Sequence, residues 1–217
     1  MKPWITLLLA LLASPAFAAE KPQDVPTSMA GGVQLGLNHN TFTTSPNVSP
    51  SYHPGLIIGG LLELGFNEYV YVQPEFRYTQ KGFEYRSGSG GDQLLIEASA
   101  NYIEIPVLMK FKLLPESFVR PFFIVGPNIG FKVSDTVDVT LGNGRTSETY
   151  RSTMSLKFTT LDFALDTGAG AEWYINADLS LFGLFRYSYG LIDVAESGTM
   201  NWKSRGVQFL GGALFYF

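Results

Sequence analysis

Apolar and polar residues alternate with a period of two along most of the chain, the pattern of strands whose two faces meet different surroundings. From Met29 to Asn38, Val33, Leu35 and Leu37 interleave with Gly32, Gln34, Gly36 and Asn38. Leu56, Ile58, Leu62, Leu64 and Phe66 share one parity, while the other holds Glu63 among Ile57, Leu61 and glycines. In YVYVQPEFRYTQK, Val70, Val72, Phe76 and Tyr78 alternate with Gln73, Glu75, Arg77, Thr79 and Lys81. NYIEIPVLMKFK sets Ile103, Ile105, Val107, Met109 and Phe111 against Glu104, Leu108 and Lys110. RPFFIVGPNIGFK sets Phe123, Val125, Ile129 and Phe131 against Arg120, Ile124, Asn128 and Lys132. Three further segments repeat the pattern, with Asp162, Asp166 and Glu172, then Ser180, Arg186 and Ser188, then Gln208, Gly212 and Tyr216 opposite apolar or aromatic residues. Successive strand side chains point to opposite faces, so each of these eight segments has one apolar face and one mixed face.

The joints between them alternate in length: long at 39–53, short at Asn67 and Glu68, long at 82–97, short at LPES, long at 134–156, short at INA, long at 190–204. Outer-membrane barrels have short periplasmic turns and longer extracellular loops. The expectation is therefore an all-β protein, an eight-stranded antiparallel up-and-down transmembrane β-barrel, with its N-terminus and Phe217 on the periplasmic side. A lipocalin-like soluble barrel is the alternative: it would turn the same apolar faces inward and leave Glu63, Arg77, Glu104 and Asp166 in water. Aromatic residues at strand ends (Tyr69, Tyr71, Tyr78, Trp173, Tyr187, Tyr189, Phe215, Phe217) favour the membrane barrel, which needs girdles there.

Composition agrees with strand-type insertion, since aromatics make up 14% of the chain and charged residues only 16%. MKPWITLLLALLASPAFA reads as a secretory signal over residues 1–18, its apolar run too short for a stable span. Its removal takes away one lysine and no acid from a net charge of −4, so nothing points to a nucleic-acid partner. Residues 19–28 form a short periplasmic lead, and 29–217 a single barrel domain. The absence of cysteine excludes disulfides, thiolate metal sites and a lipidated N-terminal cysteine.

NYIEIPVLMKFK followed by RPFFIVGPNIGF, then GAGAEWY with LFGLFRYSYGL and a final aromatic strand, resembles the PorT-like outer-membrane β-barrel family of porin-family proteins. The similarity covers essentially the whole mature chain. It implies an eight-stranded barrel in the bacterial outer membrane, some of whose relatives assist protein secretion, and it implies no catalytic residues. Phe215 and Phe217 resemble the aromatic ending by which the barrel-assembly machinery recognises its clients; they also suit the periplasmic girdle.

A strand charge facing mid-bilayer lipid costs about 2–4 kcal/mol for Arg or Lys, so these charges should face the lumen. Side chains fill a lumen of eight strands, so charges buried there must pair. The inward set contains Glu63, Glu75, Glu104, Asp162, Asp166 and Glu172 against Arg77, Lys81, Lys110, Arg120, Lys132 and Arg186. Strand connectivity is expected to bring Asp166 to Arg186, and Glu75 and Arg77 to Glu104. Pro106 is awkward in a closed sheet because it has no N–H; the expectation is a lost hydrogen bond, an unshifted register and an inward Lys110.

The expected function is that of a non-enzymatic structural or protein-interaction component of the cell envelope, its lumen plugged by ion pairs. A small-solute channel is the alternative, and an outer-membrane hydrolase a third reading without a visible nucleophile. No cofactor or metal site is expected: His39 and His53 flank the first outside loop without further ligands at fixed spacing. Asn47-Val48-Ser49 precedes Pro50 and carries little weight as a glycosylation acceptor, and GSGGD at 88–92 reads as a loop because no helix follows. Expected partners are outer-membrane lipid and lipopolysaccharide and the assembly machinery. A further envelope protein could pair with the 134–156 loop, where Val137, Val139 and Leu141 continue the alternation toward Asn143-Gly144; a self-contained loop is the simpler alternative.

Overall fold

The computed structural model describes residues 29–43, 51–87, 93–142, 147–152, 161–191 and 203–217. The expectations for the signal and lead at 1–28, for Asn47–Pro50, for 88–92 and for Asn143-Gly144 lie outside these residues. The strands are β1 (Met29–Thr43), β2 (Ser51–Gly65), β3 (Val70–Ser87), β4 (Gln93–Lys112), β5 (Val119–Gly142), β6 (Ser147–Ser152), β7 (Leu161–Tyr174), β8 (Leu179–Gly190) and β9 (Lys203–Tyr216). All pairings are antiparallel. They run β4-β3-β2-β1-β9-β8-β7-β5, and β4 pairs with β5 to close the ring of eight. β6 stands outside that ring, paired with residues 137–142 of β5.

The two faces separate as the alternation requires. On β1, Val33 and Leu35 are 61% and 65% exposed, whereas Gln34 and Asn38 are 2% and 0% exposed. Ile58, Phe76, Phe123, Phe185 and Phe209 are likewise exposed. Apolar area left uncovered on this scale is unfavourable in water at roughly 25 cal/mol per Å², so the surrounding solvent is hydrocarbon. The lipocalin-like alternative, with apolar faces inward, is thereby excluded. Phe66, Tyr69, Phe118, Trp173, Phe215 and Phe217 are exposed at the short-turn end and form one girdle.

The short turns are held by local side-chain bonds: Asn67 Oδ1 accepts from the backbone N–H of Tyr69 (2.8 Å) and Val70 (2.9 Å), and Asn176 Oδ1 from that of Asp178 (2.9 Å). At the β4–β5 turn Leu114 adopts a positive φ of 52°, and its carbonyl accepts from Ser117 N–H at 2.9 Å. The joints at the other end are shorter than the alternation suggested. Residues 82–87 and 93–97, expected in a loop, belong to β3 and β4, and β5 continues to Gly142. β3, β4 and β5 thus extend together, with Phe83 opposite Ala98 and Ala98 opposite Val137, and with Tyr85 opposite Ile96 and Ile96 opposite Val139.

The ladder crosses Pro106 without a shift. Pro106 pairs with Asn128 on β5, and the β3 register is the same at Pro74–Val107 as at Arg77–Glu104. The irregularity in this region lies instead at Asn101/Tyr102, where Ser134 and Lys132 are the respective partners and Val133 is the extra residue.

Candidate functional site in the barrel lumen

The inward side chains are arranged in three layers along the barrel. Nearest the short turns, Glu63 (β2), Lys110 and Lys112 (β4) and Glu172 (β7) form one network. Lys110 Nζ lies 2.5 Å from Glu63 and 3.2 Å from Glu172. Lys112 Nζ lies 3.0 Å from Glu172 and also contacts Glu63. Ser180 donates to Glu172 at 2.6 Å, Tyr216 donates to Glu172, and the Tyr174 and Tyr216 hydroxyls meet at 2.9 Å. Two carboxylates thus balance two lysines. Neither these four residues nor Ser180, Tyr174 and Tyr216 carries a buried polar atom without a hydrogen-bond partner.

Above this layer lies an apolar one, built from Leu61, Leu108, Phe122, Ile124, Phe182, Leu184, Leu210 and Leu214, all buried. Glycines make the room that its rings occupy. A Cβ on Gly170 would lie 2.6 Å from Phe122 Cζ, and one on Gly212 would lie 2.5 Å from Phe182 Cζ. The lower network rests on the same rings, with Lys110 Nζ 4.3 Å from the Phe122 centroid and 5.9 Å from that of Phe182.

Toward the long-loop end a second network begins. Arg77 (β3) binds Glu104 (β4) at 2.7 Å and Asp166 (β7) at 3.0 Å. Arg186 (β8) reaches across to Glu75 (β3) at 2.6 Å and contacts Asp166 at 3.5 Å. Lys81 bridges Glu104 (2.7 Å) and Asp162 (2.9 Å). Gln34 and Gln73 donate to Glu75 at 2.8 and 2.7 Å, and Thr79 donates to Glu104 at 2.9 Å. Among the described residues no hydrogen bond or ion pair joins this network to the lower one across the apolar layer.

Of the residues singled out from the sequence, Glu63, Glu75, Arg77, Lys81, Glu104, Lys110, Asp162, Asp166, Glu172 and Arg186 all lie buried on the inner face. Lys110, 1% exposed, points inward. Arg120 departs from the expected pairing. At the turn end of β5 it is only half-buried, its guanidinium lies 4.1 Å from the Tyr174 ring centroid, and it donates to Ser117 O and the Tyr174 hydroxyl. Lys132 sits near the other rim beside Asp135, at 3.4 Å. Asp166 meets Arg186 and Arg77 meets Glu104, whereas Glu75 turns to Arg186 across the lumen.

Sequence reasoning missed Lys112, although it shares the parity of Glu104 and Lys110. It also missed the uncharged members Gln34, Gln73, Thr79, Tyr174 and Ser180 as network partners. His39 is exposed on β1, and β2 places His53 opposite Asn40; the side chain of His53 lies outside the described residues. Among the described residues no group of three His, Asp or Glu is placed to hold a metal ion.

Solved structures share this architecture. The outer membrane protein OprG from Pseudomonas aeruginosa is 8% identical, with 91% of this chain and 99% of that chain covered and a TM-score of 0.54. Ail, the attachment invasion locus protein of Yersinia pestis, is 16% identical over 87% of this chain and 99% of that one, with a TM-score of 0.44. Neisserial surface protein A is 15% identical over 87% and 99%, also with a TM-score of 0.44. No curated protein sequence matches the chain. The closed, outward-apolar barrel and the match of residues 20–196 to the model of the outer membrane protein beta-barrel domain lead to one conclusion: the chain belongs to that family and is a β-barrel protein of the bacterial outer membrane.

Proposed function

We propose that this barrel is a non-conducting, non-enzymatic component of the outer membrane, acting as a structural or protein-docking element with its lumen closed by its own side chains. The observation that carries this reading is the apolar layer of Leu61, Leu108, Phe122, Phe182, Leu210 and Leu214 between two ion-pair networks. A hydrated ion crossing the layer would exchange much of its water for a largely apolar lining, an unfavourable transfer. The networks themselves hold their charges in mutual contact, and the hydroxyls that donate to their carboxylates, Ser180 to Glu172 and Thr79 to Glu104, are fully buried. Single-barrel recordings in planar bilayers test the reading: only rare, small events are expected, and steady large conductance would favour the small-solute channel instead.

For docking, the 134–156 segment is the favoured surface. β5 continues past its bulge at Val133 to Gly142, β6 pairs with that extension, and among the described residues no strand pairs with the other edge of β6. An open edge of this kind can accept an extended segment of another envelope protein, which accords with the PorT-like resemblance and a role alongside secretion. Deleting residues 136–150 should leave the barrel able to fold in detergent and abolish capture of that partner from outer membranes. Unchanged capture ends the docking assignment while leaving the non-conducting reading intact.

A further inference from the structure

The outward face of β8 and β9 is apolar until it nears the long-loop end. Leu181 and Phe185 on β8, and Phe209 and Phe215 on β9, are exposed to lipid there. Arg205 shares their parity, two positions beyond Val207, and is partly exposed. Its cross-strand partners are Tyr189 on β8 and Thr41 on β1, so no carboxylate opposes it in either ladder.

The height of Arg205 in the membrane follows from the strand. Phe215 belongs to the girdle at the short turns, and Arg205 lies ten positions from it along β9. At about 3.3 Å per residue and a tilt near 40°, that separation spans about 25 Å across the bilayer, which is the height of the apolar band of such barrels. Arg205 therefore stands at the outer boundary of the hydrocarbon. Tyr187 and Tyr189, half-buried on the same face, mark this boundary as interfacial aromatics do. An outward arginine is costly at mid-bilayer and tolerated at this height.

The guanidinium carbon lies 5.1 Å from the Tyr189 ring centroid. A ring contact engages the face of the guanidinium and leaves its N–H groups in the plane, the fork that meets a phosphate with two parallel hydrogen bonds. Arg205 Nε has no hydrogen-bond partner, so the ring, and not a hydrogen bond along that edge, sets the orientation. His39 is exposed on the outward face of β1 opposite Val207, which makes it the diagonal neighbour of Arg205.

We propose that Arg205, backed by Tyr189 and flanked by His39, binds a phosphate of lipid A, the membrane anchor of lipopolysaccharide. Charge and height together select this occupant. The anion must sit at the outer boundary of the bilayer, and lipid A carries its phosphates there above acyl chains that suit the outward Val207 and Phe209. The site lies on the outer face of the wall, so it stands whether or not the lumen conducts.

Native mass spectrometry of the folded full-length barrel in detergent tests the site. The probes are bisphosphorylated lipid A, the same lipid A stripped of both phosphates, and phosphatidylglycerol. The unsubstituted barrel should retain one bisphosphorylated lipid A and hold the stripped form about tenfold more weakly, the effect of losing a charge-assisted hydrogen bond. Equal retention of the stripped form would mean that acyl chains alone hold the lipid. Equal retention of phosphatidylglycerol would mean that any anionic headgroup serves, and either result overturns the proposal. Arg205→Gln should weaken retention of bisphosphorylated lipid A by a similar factor. Arg205→Lys should weaken it less, because the ammonium keeps the charge without the fork, and His39→Gln least. Undiminished retention by Arg205→Gln would place the phosphate elsewhere and overturn the assignment. The comparison of lipids needs no variant, so a folding defect in Arg205→Gln leaves it decisive.

Discussion

Two ion networks share one lumen and solve the same problem differently. The lower one, at the short turns, pairs Glu63 and Glu172 with Lys110 and Lys112, surrounds them with the hydroxyls of Ser180, Tyr174 and Tyr216, and leaves none of their buried polar atoms alone. The upper one has the more rigid arginine forks but one carboxylate more than its cations, and unpartnered donors and acceptors on Gln34, Asn38, Arg77, Glu104, Asn128, Asp162, Asp166, Arg186 and Gln208. Complete pairing at low local dielectric is what lets a buried polar network be stable at all. The lower network is therefore completely paired, and the upper one is paired only in part.

Five substitutions would break or sharpen this contrast. The largest effect is expected from Arg77→Met, which strands Glu104 and Asp166 and worsens the existing charge excess. Losing one partner of a buried pair costs about 3–5 kcal/mol, and the urea midpoint for unfolding from lipid vesicles should fall accordingly. A change of under half that size would mean that the upper carboxylates are already neutralised by another route.

Phe122→Ala follows, at about 3 kcal/mol for loss of a buried aromatic ring. It attacks the layer between the networks, so bilayer recordings should also acquire a measurable conductance. Destabilisation without conductance would place the barrier to ions elsewhere.

Lys112→Met should cost about 1–3 kcal/mol, the penalty for leaving hydrogen-bonding groups unmet. Lys110 still holds both carboxylates, which limits the loss. The double change Lys112→Met with Glu63→Gln should be milder than the sum of the two singles, because a shared interaction is counted only once. Additive effects would show that the two side chains do not interact in the membrane.

The smallest effect belongs to Asn128→Leu. It should shift stability by less than about 1 kcal/mol, since the oxygen it removes has no protein partner to strand. A loss of several kcal/mol would mean that Asn128 supports the wall itself.

Much of this could be read from residue order. The alternation that sets Val33, Leu35 and Leu37 against Gln34 and Asn38 named the lipid face and the lumen face strand by strand. The alternating joints gave the direction of the barrel, and the same parity marked Glu63, Glu104 and Lys110 as inward. Joint lengths were the weaker part. Residues 82–97 read as loop because charges and glycines interrupt the pattern there, yet the register runs on, with Phe83 opposite Ala98 and Ala98 opposite Val137. Lys112 and Arg120 exchanged roles for a related reason. Parity gives the face on which a residue lies but not its height, and height decides that Lys112 stands between Glu63 and Glu172 while Arg120 lies at the rim on Tyr174.

By itself the sequence determined an eight-stranded membrane barrel, its inner and outer faces and the need for its buried charges to pair, because a period of two and the cost of charge in hydrocarbon are local properties of each strand. Only the tertiary structure decided the partners. Arg77 meets Asp166, 89 residues away, and Arg186 meets Glu75, 111 residues away, because closure of the tilted strands places β3 across the lumen from β7 and β8. It alone separated the charges into two networks with an apolar layer between, since that layering depends on the stagger of every strand against its neighbours, which no single segment encodes.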